Sequence, residues 1–73
     1  MREEILKICE SVDGSVDFTS TTLIDNNEID SVSLIEIVSE IMDQFDIEIP
    51  FEEVVPENFN SVDAMVRLVE KYV

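Results

Sequence analysis

The chain has 73 residues, 18 of them Asp or Glu and four Lys or Arg, with 45% hydrophobic content and a formal net charge of −14. A chain of this size is one small domain (1–73) of a few kcal/mol stability, and its hydrophobic content suffices for a compact core. The charge argues against direct binding to nucleic acid, since affinity for phosphate backbones comes from Lys and Arg, and instead favours basic protein partners.

Along the chain, Met1, Ile5, Ile8, Cys9 and Val12 recur at helical spacing and predict a first helix. Asp13-Gly14-Ser15 is expected to end it, with Gly14 supplying a left-handed residue. Cys9 lies on the apolar stripe, so a buried, reduced thiol is expected. With no His to activate it, it is no candidate nucleophile.

Asp13 to Asp30 is long for a connection, yet Val16, Phe18, Leu23, Ile24 and Ile29 punctuate it. The expectation is a loop tacked down across a helix bundle.

Ser31 to Phe45 carries the strongest helical pattern. Leu34, Ile35, Ile37, Val38, Ile41, Met42 and Phe45 fill an arc of roughly 160° and predict the buried face. Asp30 or Ser31 can cap the first turn, and Ser33 with Glu36 has an overlapping capping-box spacing. Val32 falls outside the arc, about 60° beyond Ile35, among Glu36, Ser39 and Asp43. An apolar residue there gains little from the core, so Val32, Glu36, Ser39, Glu40 and Asp43 form a candidate docking stripe for a basic surface.

Phe45, Ile47 and Ile49 read as core at the helix exit, and Glu48, Glu52 and Glu53 extend the acidic surface. Pro50 and Pro56 bracket a segment expected to make one short helical turn with Pro50 at its first position. After Asn60-Ser61, a capping pair, Val62, Met65, Val66, Leu68, Val69, Tyr72 and Val73 predict a last helix running nearly to the C-terminus. The expected architecture is all-α: three main helices, one short helix and a long loop between the first and second.

Asp25, Asn27, Ser31, Ser33 and Glu36 fit positions 1, 3, 7, 9 and 12 of a calcium loop. Ile29 falls where a ligand is needed and Asp30 where glycine makes the turn, so no metal site is assigned.

Ile29-Asp30-Ser31-Val32-Ser33 opening an apolar helix, followed by Phe45-Asp46-Ile47-Glu48-Ile49-Pro50, resembles the acyl carrier protein family over nearly the whole chain. The resemblance implies that Ser31, flanked by Asp30, receives 4'-phosphopantetheine from coenzyme A, whose terminal thiol holds acyl groups as thioesters. It further implies a freestanding, non-catalytic carrier that works with a phosphopantetheinyl transferase and with enzymes of fatty-acid, polyketide or related lipid metabolism. Ser33-Leu34 early in the helix and Asn26-Asn27-Glu28 before it differ from the fatty-acid type. A D-alanyl or aminoacyl carrier stays open, as does an acidic helical interaction module without a prosthetic group.

A monomer in the cytoplasm is expected, because no apolar run approaches the roughly 20 residues of a membrane span and Met1-Arg2-Glu3-Glu4 does not resemble a signal peptide. So uneven a charge also predicts self-repulsion. Moderate salt should raise the melting temperature, followed by circular dichroism, and a flat or falling response contradicts this.

Overall fold

A computed structural model describes residues 1–73. Four helices follow one another: α1 (Arg2–Val12), α2 (Ser31–Phe45), α3 (Pro56–Phe59) and α4 (Val62–Glu70), with a 3-10 turn at Phe51–Glu53 before α3. There is no strand, and α1 packs against both α2 and α4. The radius of gyration is 10.8 Å, near the roughly 11 Å expected for this length.

The apolar periodicity explains the packing. Ile5, Ile8 and Cys9 of α1, Ile37, Val38 and Ile41 of α2, and Val62, Met65, Leu68 and Val69 of α4 meet in one core around Phe59. No charged or polar residue is buried. Ionised groups therefore keep contact with water and avoid the large cost of full burial. Cys9 is fully buried beside Met65, with 3.7 Å between the sulfurs, and burial pushes its thiol pKa up to about 11. A thiol so placed stays protonated and inert at neutral pH.

The long loop is tied down as its apolar residues foretold, since Phe18, Leu23 and Ile29 are buried in the core. Its polar attachment comes from Asn60. The Asn60 side-chain oxygen accepts from the amides of Ile24 (2.9 Å) and Asp25 (3.0 Å), and its main-chain oxygen accepts from Leu23 (2.9 Å). Within the loop, Glu28 accepts from the hydroxyls of Ser20 (2.7 Å) and Thr22 (3.1 Å). The capping role expected of Asn60-Ser61 is therefore divided: Ser61 caps α4 through the Ala64 amide at 3.0 Å, and Asn60 clasps the loop.

Four expectations are corrected. Gly14 does not adopt a left-handed conformation; α1 ends at an extended Asp13, whose carboxylate takes the Ser15 amide (3.1 Å) and hydroxyl (2.6 Å). The positive φ values belong to Asn27 (54°) and Asp46 (53°), residue types whose short polar side chains tolerate that region. Between Pro50 and Pro56 the one short turn forms at Phe51–Glu53, but Pro50 precedes it instead of occupying its first position, and a further short helix, α3, starts at Pro56. Ile35 and Val73, assigned to buried faces, are 61% and 64% exposed. Ile35 stands at the edge of the α2 arc, where it lines an open groove, and α4 stops at Glu70 before Val73.

Candidate functional site

Asp30 begins α2 in an extended conformation, and its carboxylate accepts the Ser33 amide at 2.7 Å. That bond holds the Asp30 carboxyl below its ordinary pKa, with the Ser33 amide as the principal cause and the Ser33 hydroxyl next. The cap is thus Asp30. Ser31, the other candidate, is the first helical residue; it is exposed and its hydroxyl takes no part in the cap.

Three features surround that hydroxyl. The amides of Ser31 and Val32 belong to the first turn, where a helix provides no acceptor for them, so the position carries the partial positive charge of the helix start. On one side, Ile24, Asn27, Ile29 and Leu34 join Asp30 and Ser31 in an open groove of about 370 Å³. On the other, Val32 is 65% exposed, as its place outside the apolar arc implied.

The remaining candidates on α2 share one side of the helix. Glu36, Ser39 and Glu40 are exposed and line an open cleft of about 470 Å³ with Ser11 and Val12 of α1; Asp43 is exposed one turn beyond Ser39 and Glu40. The adjoining side is apolar. Ile35, Val38 and Met42 of α2 face Ile49, Phe51 and Val54 across a groove of about 370 Å³, with Ser39 at its lip.

Glu48 and Glu52 are exposed, as expected of surface acids. Glu53 is placed differently. Its carboxylate pairs with Lys71 Nζ at 2.9 Å and accepts the Tyr72 hydroxyl at 2.9 Å. Lys71 first, then Tyr72, holds the Glu53 pKa below its ordinary value, while Glu53 raises those of Lys71 and Tyr72.

Ile35 and Phe51 were missed as surface residues. Phe51 is 84% exposed. The signal for Ile35 was its position at the edge of the arc, only about 60° from Val32. For Phe51 the signal was weaker: a turn between two prolines is too short to bury each of its side chains.

The chain belongs to the family described as "Phosphopantetheine attachment site", whose model matches residues 2–69. It is a phosphopantetheine-carrier protein, a carrier domain as opposed to a catalytic one, of a family that attaches 4'-phosphopantetheine covalently and works with phosphopantetheinyl transferases and biosynthetic enzymes. Searches of curated proteins and of solved structures give no match.

The residues at the start of α2 fit that group. A phosphodiester requires an accessible hydroxyl, and Ser31 offers one. An added negative charge is unwelcome on a chain of net charge −14, but the helix start offsets this by about 0.3–1 kcal/mol, and the Asp30 carboxylate is already engaged by the Ser33 amide.

The ionised cap predicts a pH signature. Asp30 has a lowered pKa in the fold, so its contribution is complete above its ordinary value and is lost as pH falls through the lowered one. Asp30→Asn keeps a capping oxygen but no titrating charge. The stability advantage of wild type over this variant, read from urea midpoints, should be present at about pH 7 and disappear as pH falls through the lowered Asp30 pKa; a constant advantage contradicts it.

Proposed function

We propose that this chain is a monomeric acyl carrier protein of the cytoplasm, a single carrier domain over residues 1–73 whose prosthetic group is attached at Ser31. The observation that carries the reading is the division of labour at the start of α2: Asp30 performs the capping, which leaves the exposed Ser31 hydroxyl available.

Ser31 Oγ would hold the 4'-phosphopantetheine through a phosphodiester, beside the first-turn amides of α2. When bound, that group supplies a terminal thiol that carries acyl intermediates as thioesters. The chain itself has no His, and its one thiol, Cys9, is buried and protonated, so activation of Ser31 falls to the transferase. Asp30 keeps the serine at the exposed first position of the helix.

Val32, Glu36, Ser39, Glu40 and Asp43 along α2, with Glu48 and Glu52, present acid and one apolar side chain to basic enzyme surfaces. Charge of this kind speeds encounter and sets orientation more than it raises affinity. Glu53 is withdrawn from this surface by its ties to Lys71 and Tyr72. The cargo is an acyl intermediate of fatty-acid, polyketide or related biosynthesis.

The test is to incubate the protein with coenzyme A and a broad-specificity phosphopantetheinyl transferase and weigh it. Wild type and Ser33→Ala should each gain one phosphopantetheine, and Ser31→Ala none. A gain that persists in Ser31→Ala, or its absence in wild type, overturns the assignment. Offering the modified protein to acyl- and amino-acid-activating enzymes should then load an acyl group; exclusive loading of an amino acid replaces the acyl cargo with an aminoacyl one.

A further inference from the structure

The segment Ile49–Val55 lies between the end of α2 and the start of α3, and it carries the most exposed large apolar side chain, Phe51 at 84%. Its own hydrogen bonds are three and all short-range: the Glu53 amide to Pro50 O at 2.9 Å, the Val54 amide to Phe51 O at 3.0 Å and the Val55 amide to Glu53 O at 3.0 Å. A three-residue 3-10 turn has no intrinsic stability to hold one orientation, so something outside it must. Ile49, buried in the core, and Val54, packed against it, hold the segment on either side of the turn, and four polar contacts converge on Glu53. Lys71 Nζ and the Tyr72 hydroxyl each reach the carboxylate at 2.9 Å, and the Asn58 side-chain amide donates to Glu53 O at 2.9 Å and to its Oε1 at 3.5 Å.

Lys71 and Tyr72 are themselves fixed. Their amides close the end of α4 on Leu68 O (3.1 Å) and Val69 O (2.9 Å), and Leu68 and Val69 are core residues. The chain of support therefore runs from the core through the end of α4 to Glu53, and through Glu53 to Phe51 two residues earlier.

Phe51 in turn stands across an apolar groove from Ile35, one turn along α2 from Ser31. Val32, Ile35 and Phe51 are each at least 61% exposed. The ridge that Ile35 and Phe51 form on this groove has the acids Glu36, Glu48 and Glu52 near it in sequence, each exposed. A second copy of a chain with charge −14 would be repelled from this face, whereas an enzyme with an apolar hollow edged by Lys or Arg would complement it.

We propose that Glu53 is a positioning residue, which through Lys71 and Tyr72 holds the 3-10 turn so that Phe51 and Ile35 together present an apolar anchor to a basic-rimmed enzyme partner. This rests on the reading of Ser31 as the attachment residue, since the partner that must approach Ser31 also meets Ile35 and Phe51. A pre-ordered anchor loses less conformational freedom on binding than a mobile one, so the latch acts on affinity.

The experiment measures transfer from coenzyme A by a phosphopantetheinyl transferase for wild type, Phe51→Ala, Glu53→Ala, Glu53→Gln and the Phe51→Ala/Glu53→Ala double variant, with amide hydrogen exchange on each. Phe51→Ala should raise KM about five- to tenfold at unchanged kcat, the effect of truncating an interface anchor. Glu53→Ala should raise KM comparably, Glu53→Gln less because it still accepts from Tyr72, and the double variant no more than either single one. Exchange should quicken at the Glu53 and Val54 amides of Glu53→Ala while the α2 amides of Ile41 and Met42 keep their protection.

Unchanged KM in Glu53→Ala, or single effects that multiply in the double variant, overturns the proposal while leaving the Ser31 assignment intact. Failure of wild type to accept the group refutes the assignment and with it this proposal. Sedimentation of wild type as a dimer that Phe51→Ala dissolves would make the ridge a contact between copies and also overturn it.

Discussion

The 2.7 Å bond from the Ser33 amide to the Asp30 carboxylate determines how the start of α2 is used. A helix leaves its first amides without partners, and a side chain at the boundary must satisfy one of them. Had the Ser31 hydroxyl done so, α2 would begin a residue later and that oxygen would be tied to the backbone. With Asp30 as the cap, Ser31 becomes the first helical residue and its oxygen remains accessible. Asp30 depends in turn on the loop before it. Ile29 is buried, the Ile29 and Glu28 amides both bond to Leu23 O, and Asn60 clasps Leu23, Ile24 and Asp25 to the junction of α3 and α4.

Charge and core are kept apart in this molecule. Every charged side chain is outside the buried core, and the ion pairs join Met1 to Glu4, Arg2 to Asp63 and Lys71 to Glu53. Exposed pairs contribute at most about 1 kcal/mol each, so the apolar core around Phe59 supplies the folding free energy. Most acids are left unpaired and free to meet a partner. Glu53 is different because it joins two weakly structured segments, the 3-10 turn and the end of α4, and it acts on placement more than on stability.

Regular elements were legible wherever apolar residues kept a 3.6-residue period across several turns. That holds for α1, α2 and α4, and for the loop whose scattered Phe18, Leu23 and Ile29 had nowhere to go but the core. Periodicity describes a face without saying how much of it a neighbour covers. For that reason Ile35, at the edge of the α2 arc, was assigned inward although it is exposed. The turn chemistry around Gly14, Pro50 and Pro56 was misjudged because Asp13 supplied its own side-chain turn, Pro50 preceded the 3-10 turn and Pro56 started a further short helix. At the candidate site, the sequence marked Asp30, Ser31 and Val32 but left the cap undecided between two side chains. Contacts far apart in sequence, Asn60 with the loop and Glu53 with Lys71 and Tyr72, had no local signature at all.

The central claim is that Asp30, and not Ser31, carries the helix start. Urea midpoints of Asp30→Ala and Ser31→Ala against wild type test it directly. Asp30→Ala should lower the midpoint clearly, and Ser31→Ala should leave stability within about 0.5 kcal/mol of wild type, as expected for an exposed side chain without a structural role. The reverse order, a clear loss in Ser31→Ala with Asp30→Ala unchanged, would make the serine hydroxyl the cap and contradict the account.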